Sequence, residues 1–291
     1  MATMSAIMMI SALGYSSCSK DDGDDIVISK VKLGKYESRI EVPKLKTSGT
    51  QFITHSTKIG KDSVMTYCLE YDLNKLHSRW VAFRFDGSTR GMGSGRTDAW
   101  ADDPKLAKKY QIGPGTFSWG GVRGHICASY DRQYSKEANR QTFYMTNMTP
   151  MQYDFNSYYW TILEQFVQEK GRNASFADTL YVVKGGTIEN GMTNGTVKSS
   201  AGKSIVIPKY YYIAVLRFKA GKYDAVGFWV EHKDYGYKDG NYASRNILAT
   251  HICNVDFLEK QTGIDFFHNL PNSIEEAVES EDKATLINTW L

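Results

Sequence analysis

The segment RGHICASYDR, residues 123–132, places Arg123, Gly124 and His125 in a polar run that closes on Asp131 and Arg132. An imidazole with its ordinary pKa of ~6.5 can take a proton from water near neutral pH. An arginine beside it can hold phosphate oxygens. Arg-Gly-His alone is a weak signal, and Arg123 could simply pair with Asp131. A partner for His125 is offered by NMTPMQYDFNSYYWTILE, residues 147–164, which carries Asn147, Asn156 and Glu164. On a helix turning ~100° per residue, Trp160 lies ~40° and Glu164 ~80° around from Asn156, so all three can border one side. A single amide oxygen with a carboxylate behind it suffices for Mg²⁺, which keeps most of its waters and accepts substrate phosphate for the rest. Each residue also has a plainer duty. Asn156 or Asp154 could cap the helix, Asn147 could satisfy a turn, Glu164 could be a solvated helix carboxylate, and Trp160 could be core.

The elements that must position these groups are strands with few long helices. VMTYCLEYD (64–72) and RWVAFRF (79–85) are rich in aromatic and β-branched residues, and the polar hinge between them suits an antiparallel pair. The Gly-rich stretch 86–105 predicts a long exposed loop. Its GxGxG spacing does not make a nucleotide loop, because no strand-to-helix transition surrounds it and no Lys-Ser/Thr follows. QTFYMTN (141–147) predicts a strand. NSYYWTILEQFVQEKG (156–171) predicts a helix whose apolar face is Tyr159, Ile162, Leu163, Phe166 and Val167, ended by Gly171. Three more strands are expected at 178–186, 210–221 and 224–232, then a short helix stopped at Gly263 and another beginning near Asn272 or Ser273. This order implies an α+β fold with a central antiparallel sheet and flanking helices.

Taken in order, RGHICASYDR, TFYMTNMTPMQYDFNSYYWTILE, DTLYVVKGG and TGIDFFHNLP resemble the blocks of the DNA/RNA non-specific endonucleases, which are His-Me finger enzymes with a ββα-metal site. The resemblance covers roughly residues 50–280. It implies that His125 is the general base and Asn156 the Mg²⁺ ligand, with Mn²⁺ or another divalent cation as a substitute. It further implies that Asn147 helps to position the site, that Glu164 holds metal-bound water and that Arg123 contacts phosphate. DNA and RNA would be the substrates, cut to 5′-phosphate ends. Three positions depart from the family pattern. Val122 stands for an aspartate, Met151 for a glutamine, and Gln168 for a helical arginine one turn beyond the glutamate. These departures favour an alternative, a catalytically impaired surface lipoprotein that binds nucleic acid or a protein partner.

Composition bounds the rest. The 291 residues are 42% hydrophobic, enough for a full core, and 35 Lys and Arg against 32 Asp and Glu give a net charge of +3. That excludes the strongly basic character of a DNA-coating protein but leaves room for a local basic groove. At the N-terminus a short apolar run from Ala6 to Leu13 precedes Cys18 and the acidic stretch SKDDGDD. It is too short to span a bilayer and suits an export signal. The segment resembles a bacterial lipoprotein signal, although Tyr15 is unusual there and residues 1–9 lack Lys and Arg. The expected organisation is a signal peptide at 1–17, a lipidated N-terminus at Cys18 with an acidic tether through 49, and the endonuclease domain at 50–291. An outer-membrane or cell-surface lipoprotein follows, held to the membrane by its lipid anchor only, with a periplasmic or secreted location as the alternative. Cys68, Cys127 and Cys253 show no zinc-like spacing, and are either buried thiols or one disulfide plus a free thiol.

Overall fold

A computed structural model describes residues 35–238, 240 and 243–291, so the signal segment and the lipidation site at Cys18 lie outside the described residues. Three strands open the fold: β1 (Thr50–Ile59), β2 (Asp62–Asp72) and β3 (His77–Phe85). After a long loop, β4 (Val122–His125), α1 (Lys136–Gln141) and β5 (Met148–Met151) lead into α2 (Thr161–Arg172). Then come β6 (Thr179–Gly186), β7 (Thr193–Lys198), β8 (Ser204–Pro208), β9 (Tyr210–Lys219) and β10 (Lys222–Glu231). The chain closes with α3 (Leu248–His251), β11 (Ile252–Cys253), α4 (Val255–Thr262), α5 (Asn272–Glu279) and α6 (Lys283–Trp290).

The main sheet has the order β1-β2-β3-β6-β9-β10-β11 with antiparallel neighbours throughout. Its middle strands are apolar at successive positions, as strands covered on both faces must be. In β9, Tyr211, Ile213 and Val215 enter one core while Tyr212, Ala214 and Leu216 enter the other. Against the first core lies α2, whose Ile162, Leu163, Phe166 and Val167 are buried at the predicted three- and four-residue spacing. The second core is closed by Leu258 of α4 and Val278 of α5. As predicted, α4 ends at Gly263, which takes the left-handed conformation at φ +63° that favours glycine.

Two expectations are corrected. Residues 141–147 form no strand: α1 ends at Gln141 and a 3₁₀ turn covers Met145–Asn147. The whole segment is buried, so its apolar run reports burial rather than a pleat. The acidic tether does not reach residue 49, because the chain folds onto the domain from about residue 35. Val42 is fully buried, and Asn269 Nδ2 donates to the carbonyls of Glu37 and Arg39 at 3.0 Å each. The three described cysteines are all free. Among the described residues no helix is long and apolar enough to cross a membrane.

Candidate active site

The strands β4 and β5 form a separate antiparallel hairpin in which His125 pairs with Met148 and Val122 with Met151. The helix that follows opens with a π-helical turn, Phe155–Trp160, and continues as α2. This ββα unit brings His125 to face the start of the helix across a cleft of about 660 Å³. Arg123, His125, Asn156 and Glu164 all line it, together with Arg96 and Trp100 from the long loop. A π turn changes the angular step between residues and is common at functional sites. Asn156 therefore leaves the regular helix phase, yet it still borders the same cleft as Glu164.

Neither Asn156 nor Asp154 caps the helix. Asp154 already has helical dihedrals and pairs with Lys238 at 2.6 Å, while the Asn156 backbone N–H donates to Gln152 at 2.9 Å. The Asn156 side-chain amide makes no hydrogen bond to any described residue. The amide is half-buried and open to the cleft, so it is free to take a ligand. Glu164 faces the same space, so the donor set is all oxygen and suits a hard divalent cation. Trp160 is core, 1% exposed, as its plainer reading holds.

His125 is half-buried, and its Nε2 is shielded from solvent with no hydrogen-bond partner. The ring packs edge-on against Phe143 at 4.8 Å and lies 5.4 Å from Trp100. Burial, and then the charges of Arg96, Arg123 and Lys184, push its pKa down to about 3, so the imidazole is neutral near pH 7. Burial acts oppositely on Glu164, pushing its carboxyl up to about 7 against the pull of Lys184. Arg123 does not pair with Asp131. Its guanidinium lies 3.6 Å over the Trp100 ring and donates to the Pro114 carbonyl, with burial and Arg96 lowering its pKa.

Asn147 is not brought into the cleft. It is fully buried, and its amide accepts from Cys127 N–H at 2.8 Å and donates to the carbonyls of Cys127 and Thr142 at 2.9 and 2.7 Å. It ties the segment leaving His125 to the start of β5, so it positions the base without touching a substrate. The three departures are accommodated locally. Met151 packs on Gly124, where an added Cβ would fall 2.4 Å from the Met151 sulfur. Gln168 donates to Asp131 at 3.0 Å, and Asp131 is also bound by Lys184 at 2.9 Å with both charges fully buried. Val122 lines the cleft without filling the position of any group named above.

Sequence reasoning missed Arg96, Trp100 and Lys184. The first two lie in a loop whose glycines and polar residues signal exposure, and an arginine there has no periodicity to mark it. Lys184 is the one charge within the buried strand β6, and that was the available signal.

The fold and cleft are those of a ββα nuclease, and comparisons with known proteins agree. Residues 48–273 match the sequence pattern of the DNA/RNA non-specific endonucleases, and the chain belongs to that family. It is therefore a metal-dependent nuclease acting on nucleic acid. A nuclease from Nostoc sp. is 29% identical over 245 residues, which cover 77% of this chain and 81% of the relative. The mitochondrial nuclease EXOG of Mus musculus is 25% identical over 71% of this chain, which spans only 56% of that relative. A chain in the solved EndoG/EndoGI complex superposes with a TM-score of 0.57 at 17% identity, covering 76% of this chain and 89% of that one. This last likeness shows the fold.

Proposed function

We propose that the chain is a Mg²⁺-dependent endonuclease that cuts both DNA and RNA and leaves 5′-phosphate and 3′-hydroxyl ends. The observation that carries this reading is the meeting of His125, Asn156, Glu164 and Arg123 in one cleft. Asn156 and Glu164 would hold the cation. Bound there, Mg²⁺ supplies charge neutralisation at the phosphate and at the departing 3′ oxygen. His125, whose ring lines the cleft, takes the proton of the attacking water. Arg123 and Arg96 present positive charge to the phosphoryl oxygens. The phosphate has a second effect: it offsets the two arginine charges that lower the basicity of His125, so substrate makes the base stronger. The ordering of Arg123 on Trp100 lowers the entropy lost when it meets the substrate.

Contacts to phosphate carry no sequence information, so cleavage should be nearly independent of sequence and should weaken as salt rises. The apolar run before Cys18 and the acidic residues after it support export and lipid anchoring at the outer membrane or cell surface. The test is digestion of supercoiled plasmid and of single-stranded RNA with Mg²⁺ or EDTA, followed by end labelling. Cutting of both polymers with Mg²⁺ alone, giving ends that ligate without kinase treatment, is the expected result. Cutting that persists in EDTA, or 3′-phosphate ends, would overturn it.

A further inference from the structure

Beside the second core lies a group of carboxylates that the nuclease site does not use. On α4, Asp256 and Glu259 stand one turn apart, and Glu279 is the last residue of α5. One oxygen from each lies within 4.8 Å of the others. Two oxygens bound on opposite sides of Ca²⁺ at its usual bond lengths are about 4.6–5.2 Å apart, so the spacing needs no backbone shift. A cluster of acids on a surface means little by itself. Here, however, Glu279 is only 3% exposed, and its Oε1 is shielded from solvent with no hydrogen-bond partner.

The surroundings make that burial costly. Besides burial, the main charge effects on Glu279 come from Glu259, Glu275, Asp256 and Asp265, all acidic, and Asp265 already has Lys44 at 3.0 Å. Glu279 also stands at the C-terminal end of α5, where the helix dipole disfavours an anion. Glu259 is held in place by the Phe266 N–H, which donates to its Oε1 at 2.6 Å. Asp256 is exposed, leaving the group open on one side to water ligands.

We propose that Asp256, Glu259 and Glu279 form a second cation site, on the sheet face away from the nucleolytic cleft, which takes Ca²⁺ and ties α4 to α5. Three carboxylates with one open side suit the irregular six to eight oxygen ligands of Ca²⁺ better than the strict octahedron of Mg²⁺. Occupancy stabilises the fold by linkage, because the unfolded chain does not hold the three oxygens together. The site serves structure and is independent of the proposed chemistry at His125.

The experiment is calorimetric titration of the chelator-stripped full chain with Ca²⁺ alone, with thermal unfolding alongside, for wild type, Asn156→Ala, Glu279→Gln and Asp256→Asn. The Asn156→Ala chain should keep one equivalent of Ca²⁺ and gain about 5 °C or more in unfolding temperature when Ca²⁺ is ~100-fold above its dissociation constant. Glu279→Gln and Asp256→Asn should bind that equivalent about tenfold or more weakly, while nicking plasmid with Mg²⁺ at the wild-type rate. Asp256 is exposed, so its variant folds even if the buried one does not. Absence of Ca²⁺ binding in Asn156→Ala, or unchanged affinity in Asp256→Asn, would overturn the proposal.

Discussion

At the level of single residues, the chemistry-bearing side chains divide into those that face the cleft and those that hold them there. His125 and Asn156 were legible only through the family resemblance, since Arg-Gly-His alone is a weak signal and an asparagine opening a helix is commonly a cap. The plainer reading of Asn156 as a cap fails on its own geometry, since it lies within a π turn and its side chain makes no hydrogen bond among the described residues. Asn147, expected to help position the site, is a buried brace with three hydrogen bonds. Two outcomes separate these roles. Asn147→Ala strands a buried N–H and two carbonyls, and should cost about 2–4 kcal/mol in urea unfolding, with activity falling alongside stability. Arg123→Ala should lower kcat about 10²-fold in plasmid nicking, as removal of one charge-stabilising donor does, while its unfolding midpoint barely moves. Arg96 and Trp100 escaped the sequence reading because loop residues gain their meaning only from where the loop lies.

Among the elements, helices and central strands were the most legible, since α2, β2, β3, β6, β9 and β10 carry strong apolar patterns. The polar strand β7, with TNGTVK mostly exposed, carries none. Segment 141–147 was misread because complete burial erases the alternation that distinguishes a strand from a turn. The hairpin of β4 and β5 depends on a close approach that sequence alone hides. Gly124 stands between Arg123 and His125 because Met151 occupies the space a side chain would need; a Cβ there would also lie 2.6 Å from Met151 Cγ. Gly124→Ala should therefore destabilise by about 1–3 kcal/mol through overpacking. Adding Met151→Ala should return part of that loss, so a double-mutant cycle by urea unfolding should give a coupling of about 0.5–3 kcal/mol. Additive effects would show that the two side chains do not compete for this space.

For the whole molecule, a sheet buried on both faces separates the nucleolytic cleft from the α4 and α5 side, and it confines several histidines in the neutral form. His77 Nδ1 donates to the Ser78 carbonyl and, in the neutral ring, Nε2 accepts from the Thr149 hydroxyl, at 2.7 Å each. His232 Nε2 accepts the Gln152 N–H at 2.9 Å. Burial pushes both down to about 4, against an ordinary value of 6.5. Between those values the unfolded chain binds protons that the folded chain refuses. Stability should thus fall as pH drops from about 6.5 toward 4, by up to about 1.4 kcal/mol per pH unit for each histidine, and His77→Gln should flatten the slope. Urea unfolding across that range checks the sign. The domain boundary near residue 35 was not legible, because the acidic composition before it gives no sign that Val42 and Glu41 are buried. The most direct measurement of the central claim is kcat/KM for plasmid cleavage at saturating Mg²⁺ by wild type and His125→Ala of equal thermal stability. A fall of about 10²–10⁴-fold is expected if this imidazole is the base; cleavage within a few-fold of wild type would contradict it.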